Sequence, residues 1–178
     1  MSSKFFTNNN DRNLFVKFKG IIEHMKDLYA FHAVVGYFRS SGYFALQPHL
    51  ENIKEIKILV GINVDQMFAE AQRKGLLYFG DENKTKDEFL KWFIQDIKEA
   101  KYSEQVEKGV LQFINDLMEG RIEVRAHNSK AIHAKFYLFL PEKHTTHSDG
   151  WVIMGSSNLT EAGLGIKKSP NYELNIAL

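Results

Sequence analysis

The segment "IHAKFYLF", residues 132–139, sets an imidazole and an ammonium two positions apart, at His133 and Lys135. Residues two apart on an extended chain share a face. An imidazole is a nucleophile or base near neutral pH, and a lysine is a fixed cation. Such a pair by itself more often marks a half-exposed polar face than a site, so its neighbours decide. Downstream, "GSSNLTEAGL" (155–164) follows an apolar strand and opens a short helix. Its hydroxyls, amide and backbone N–H groups suit an anion cradle. The plainer alternative is that Asn158 caps the helix. "NYELNIAL" (171–178) then puts Glu173 in an apolar strand that reads as central, where a carboxylate needs a partner. Together these stretches supply a nucleophile or base, a cation, phosphate donors and an orienting carboxylate.

Strands must carry these groups. In 131–140, even positions Ile132, Ala134, Phe136 and Leu138 are expected to fill the core, with His133 and Lys135 on the other face. In 171–178, Leu174, Ile176 and Leu178 share one face, and Glu173 and Asn175 the other. Further strands are expected at 121–127 and 151–155, with a polar loop at 141–150 between the middle two. Earlier, Asn13 caps a helix to about Met25, and strands occupy 28–38 and 55–64. A helix with Ser40 or Ser41 as its cap, and Pro48 inside, joins those two strands, an order that favours a parallel crossover. Residues 1–10 read as a tail or lead-in loop. Two amphipathic helices follow. The first opens with the capping box Thr85/Glu88 and buries Leu90, Phe93, Ile94 and Ile97; the second spans about 103–119 and stops at Gly120. The chain therefore reads as one α/β domain over 1–178, a mixed, mostly parallel sheet with helices on both faces.

Composition narrows the classes. With 23 basic and 22 acidic residues, any nucleic-acid contact has to be a local patch. The chain has no cysteine, which excludes disulfides and thiolate metal sites. "MSSKFFTNNNDRN" has no apolar signal-peptide region, and no run is long enough to span a membrane, so a cytoplasmic protein without a membrane partner is expected. No G-x-x-x-x-G-K-[ST] stretch is present. His144 and His147 lie in the polar loop with Asp149 but lack a strong third metal ligand, and read as solvated. His127 is able to approach the site from a neighbouring strand. His24, His32 and His49 read as surface or satisfied core residues.

H-x-K, a gap, G-S-x-N and a later acid is the signature of the phospholipase D superfamily. This chain resembles it at His133 and Lys135 ("HAK"), at Gly155, Ser156 and Asn158 ("GSSN"), and at Glu173 ("NYELNIAL"). With one motif copy, it is most similar to the nuclease branch, which includes small bacterial endonucleases and metal-independent restriction endonuclease relatives. "HAVVGYFRSSGYFALQPHL" and "IKILVGINVD" resemble the N-terminal phospholipase D-like domain of bacterial helicase-like proteins. The motif covers roughly 130–178 and the looser likeness most of the chain. One departure is Leu140, where the family's usual motif has an aspartate thought to be structural; nuclease members tolerate its loss.

The resemblance implies a phospholipase D-like fold and a metal-independent phosphodiesterase of nuclease type acting on DNA. His133 would attack phosphorus and form a phosphohistidine. Lys135, Ser156 and Asn158 would bind phosphate oxygens, and Glu173 would hold the other ring nitrogen of His133. No metal or cofactor is implied. A second histidine must protonate the leaving oxygen, so a homodimer sharing one active site is expected. The chain ends in an apolar strand, as the N-terminal part of a longer helicase or restriction protein would. The alternative is a catalytically weak DNA-binding or dimerisation module of a larger helicase-like protein. Lipid hydrolysis fits less well with a single motif, the missing aspartate and no membrane-binding helix.

Overall fold

The computed structural model describes residues 4–8, 12–64, 104–126 and 132–178. In chain order the elements are β1 (Phe5–Thr7), α1 (Leu14–His24), β2 (Leu28–Phe38), α2 (Ser40–Leu50), β3 (Glu55–Val64), α3 (Glu104–Met118), β4 (Ile122–Ala126), β5 (Phe136–Pro141), β6 (Trp151–Gly155), α4 (Glu161–Leu164) and β7 (Leu174–Ala177). The expected helix with the Thr85 capping box, and His127, lie outside the described residues.

Local chemistry sets the helix starts. Asn13 accepts the Val16 N–H at 3.0 Å and opens α1, as its sequence implies. The start of α2 differs from expectation: Arg39 holds the cap position without a side-chain cap bond, and Ser40 is already helical. Pro48 lies near the end of α2, and the helix runs on for two residues to Leu50.

The described strands form one sheet in the order β1-β7-β6-β5-β2-β3-β4. Strands β2, β3 and β4 run parallel, as the strand–helix–strand order requires. The remaining four pairings are antiparallel, so the expected mostly parallel sheet is corrected to a mixed, mostly antiparallel one. The reason is connection length. A short polar loop joins β5 to β6, too short for the crossover a parallel pair needs. The 156–173 link between β6 and β7 contains only the one-turn helix α4. The lead-in expected at residues 1–10 contains β1, an edge strand pairing Phe5 with Ile176.

One face of the sheet holds the core. Phe31, Ala33 and Val35 of β2 line up with Ile56, Ile58 and Val60 of β3 and with Tyr137 and Phe139 of β5, all buried. All four described helices pack into this one buried cluster, so the expectation of helices on both faces is corrected for the described residues; Phe18 of α1 stands edge-on to Tyr137 at 4.9 Å and to Phe139 at 5.3 Å. Such aromatic pairs add about 0.5–1.5 kcal/mol each beyond their burial. The opposite face carries Val34, Phe136, Leu138 and Ile176, half-buried, and Met154, exposed.

One side-chain assignment, in β5, and the expected central place of the strand after Glu173 are thereby corrected. In β5 the odd residues Tyr137 and Phe139 fill the core, while Phe136 and Leu138 face the other way. The strand also begins at Phe136, so His133 and Lys135 precede it. In β7 the buried residues are Asn175 and Ala177, and Leu174 and Leu178 are exposed. Glu173 sits just before that strand, which is second from the sheet edge and not central.

Candidate active site

The chemistry-bearing residues gather at one end of the sheet, where β2 and β6 finish and β5 and β7 begin. Residues 132–135 are irregular, but the Lys135 carbonyl still accepts the Gly155 N–H at 3.2 Å, which locks the lead-in to β5 against the end of β6. His133 is exposed and Lys135 half-buried. Lys135 Nζ donates to the His133 carbonyl at 2.7 Å.

Gly36 marks where Lys135 and Asn158 meet. It lies at an irregularity in the β2–β3 register. A β-carbon there would stand 2.5 Å from the Ile132 carbonyl oxygen, 3.5 Å from Lys135 Nζ and 3.6 Å from Asn158 Oδ1. An ammonium and an amide thus converge on one point, and the absence of a side chain at Gly36 keeps that approach open. Nothing in the local pattern of β2 marks Gly36 for this role, because both partners come from the distant C-terminal third.

The Gly-Ser-Ser-Asn turn is built from three separate supports. Ser156 Oγ accepts the Leu174 N–H at 3.0 Å and donates to Glu173 Oε2. Ser157 is fully buried: it accepts from Asn175 Nδ2 at 2.9 Å, and its carbonyl accepts the Tyr137 hydroxyl at 2.7 Å. Leu159 bridges to Phe38, and its carbonyl accepts the Arg39 N–H at 3.1 Å. Buried polar groups of this kind persist because each has a partner. Burial pushes the Tyr137 phenol well above its ordinary range, and the nearby Glu173 carboxylate adds to the effect. Tyr137 therefore remains a hydrogen-bond donor to the turn.

The cradle differs from its sequence expectation in one respect. The backbone N–H groups of Ser156, Ser157, Thr160 and Gly163 are all consumed inside the turn or by β7. The helix cap is Thr160, whose Oγ1 accepts the Gly163 N–H at 2.9 Å, and not Asn158. What the turn offers a ligand is mainly side chains.

Glu173 is held differently from the way the resemblance implies. Its hydrogen-bond partner among the described residues is the Ser156 hydroxyl, not the His133 ring. Its backbone N–H donates to Asn8 Oδ1 at 3.1 Å, and Asn8 Nδ2 donates to the Asn171 carbonyl at 2.9 Å. The buried Asn8 is a supporting residue that reading 1–10 as a lead-in loop misses.

The family described as "Cardiolipin synthase, PLD-like domain" matches residues 55–178, well over half of the chain. The chain belongs to the phospholipase D superfamily. Comparison with curated proteins gives no match. Membership agrees with the α/β architecture and points to phosphodiesterase-type chemistry. It covers His133, Lys135, Ser156, Asn158 and Glu173 and leaves out Gly36 and Arg39.

The other histidines have ordinary settings. His24 Nδ1 lies 2.7 Å from the Gly20 carbonyl, and His32 Nε2 lies 2.7 Å from Glu55 Oε1. His144 and His147 are exposed, and no group of three metal-ligating side chains occurs among the described residues. No described helix is long and apolar enough to cross a membrane.

Proposed function

We propose that this domain is a metal-independent phosphodiesterase of nuclease type, acting on DNA through a phosphohistidine. The observation that carries the reading is the convergence of Lys135 Nζ and Asn158 Oδ1 beside Gly36, close in the chain to an exposed histidine. In the proposed reaction a His133 ring nitrogen attacks phosphorus and the bond to the leaving oxygen breaks. A second histidine, the partner's His133 in a homodimer, protonates that oxygen. Water then attacks the phosphohistidine and gives its proton to the partner's His133, now neutral; the P–N bond breaks and free His133 returns. Lys135 and Asn158 stabilise the charge on the non-bridging oxygens. Ser156 turns its hydroxyl from Glu173 to the phosphate, and the released carboxylate orients the His133 ring.

The matched family's description favours a second reading, phosphoryl transfer on a phospholipid. The cleft beside Asn158 supports the nucleic-acid reading through the polar side chains that line it, among them Arg39, Ser41, Thr160, Lys167 and Asn171, which can meet sugar and phosphate. Attachment to a helicase or restriction protein is part of the proposal and rests on the likeness of the early strands. The test is cleavage of plasmid and single-stranded DNA in EDTA by the unmodified chain and by His133→Ala. Cleavage that survives chelation and falls by about three orders of magnitude or more in the variant agrees with the proposal. DNA binding without cleavage by the unmodified chain favours a binding module, and turnover of phosphatidylglycerol but not DNA favours the lipid reading.

A further inference from the structure

A cleft of about 590 Å³ opens directly beside Asn158 and Glu173. It is roomy enough for a nucleotide-sized group. Ser41, Thr160, Ser169 and Asn171 contribute hydroxyls and an amide to its walls, and Ala162 and Gly163 are its only lining residues without a polar side chain. These groups can hydrogen-bond sugar and phosphate. Its carboxylates are both engaged: Glu161 with Lys167 and Glu173 with Ser156.

Arg39 lines the same cleft at the joint between β2 and α2. Its backbone is fixed on both sides. The N–H donates to Leu159, and the carbonyl accepts from Gly42 at 3.0 Å and Tyr43 at 3.3 Å. The residue is exposed on this anchored backbone. A guanidinium recognises phosphate by a planar fork of donors. Arg39 stands three residues beyond Gly36, about 10 Å along an extended chain. Arg39 thus shares the cleft with Asn158 but is anchored three residues further along the chain than Gly36, where Lys135 and Asn158 meet.

We propose that Arg39 binds a second phosphate, neighbouring the scissile diester, and so selects an extended polynucleotide over an isolated diester. This inference rests on the phosphodiesterase reading above and adds a specificity residue outside the matched family segment.

The experiment compares the parent chain, Arg39→Ala and Arg39→Lys in EDTA. The substrates are bis(p-nitrophenyl) phosphate, which has no neighbouring phosphate, and a single-stranded oligodeoxynucleotide. The proposal expects the oligonucleotide-to-small-diester ratio of kcat/KM to fall about tenfold in Arg39→Ala, through KM. The slope of log affinity for the oligonucleotide against log salt should fall by about one, and Arg39→Lys should recover part of both effects. Equal losses on both substrates, or an unchanged ratio and salt slope, overturn it. So does a variant that loses binding to phosphatidylglycerol vesicles while keeping its oligonucleotide affinity. A parent chain that cleaves neither substrate defeats the phosphodiesterase reading instead; the salt series on oligonucleotide binding alone then still decides the role of Arg39.

Discussion

Gly36→Ala places one methyl group where the site is tightest. The added carbon would lie 2.5 Å from the Ile132 carbonyl oxygen. Carbon–oxygen contacts normally close to about 3.3 Å, so that carbonyl has to retreat by roughly 0.8 Å. It is a backbone atom, one residue before His133 and three before Lys135, so the retreat moves the segment carrying both. A misplacement near 1 Å costs catalysis about 10²-fold. Overpacking costs roughly 1–3 kcal/mol of stability, which urea unfolding measures separately. The expected outcome is a folded variant whose kcat/KM on bis(p-nitrophenyl) phosphate, assayed in EDTA, is down about a hundredfold. Activity within about twofold of the parent, with unchanged stability, would refute the assignment of Gly36 to the site floor.

Three further outcomes are expected. Arg121 donates to Asp116 and to the carbonyls of Leu50 and Ile53, and Asp116 is buried. Arg121→Met leaves that buried carboxylate without its cation, with only the Gln112 amide, among the described residues, still donating to it, and should cost about 3–5 kcal/mol in urea unfolding; a loss below about 1 kcal/mol contradicts the clamp. Burial, and then the charge of Lys19, hold the His49 imidazole below its ordinary value of 6.5. The folded state therefore binds this proton less well than the unfolded chain, so the stability linked to His49 is present above that value and lost as pH falls through the depressed one. The urea midpoint should drop between about pH 7.5 and pH 5, and His49→Gln should remove part of the drop; an identical drop in the variant speaks against it. Light scattering at micromolar concentration should give the mass of a dimer, since one motif supplies one histidine; a strict monomer removes the shared site.

The residues of the candidate site stood out in the sequence because they differ in type from the apolar strands around them. The faces of β5 were not legible in it. Both are apolar, so counting Phe136 and Leu138 does not distinguish them from Tyr137 and Phe139, and the hydroxyl that makes Tyr137 look polar is satisfied by Ser157. Asn175 is polar in sequence, yet it is buried, with Ser157 as its partner. Strand β1 escaped notice because three residues carry no periodicity and its partner strand is at the far end of the chain. Gly36, Asn8 and Arg39 join the site only through tertiary contacts, which no local pattern records. The parallel β2–β3–β4 unit was readable from the order of its elements, but the antiparallel remainder required weighing loop lengths.

The central claim is a covalent intermediate on His133. An alkaline quench during turnover of an oligonucleotide in EDTA, followed by mass spectrometry of the digested protein, tests it most directly. The account predicts a phosphoryl-linked nucleotide adduct on the peptide containing His133, acid-labile and missing from His133→Ala. Steady turnover with that peptide unmodified, or activity that vanishes on chelation and returns only with magnesium, would contradict it.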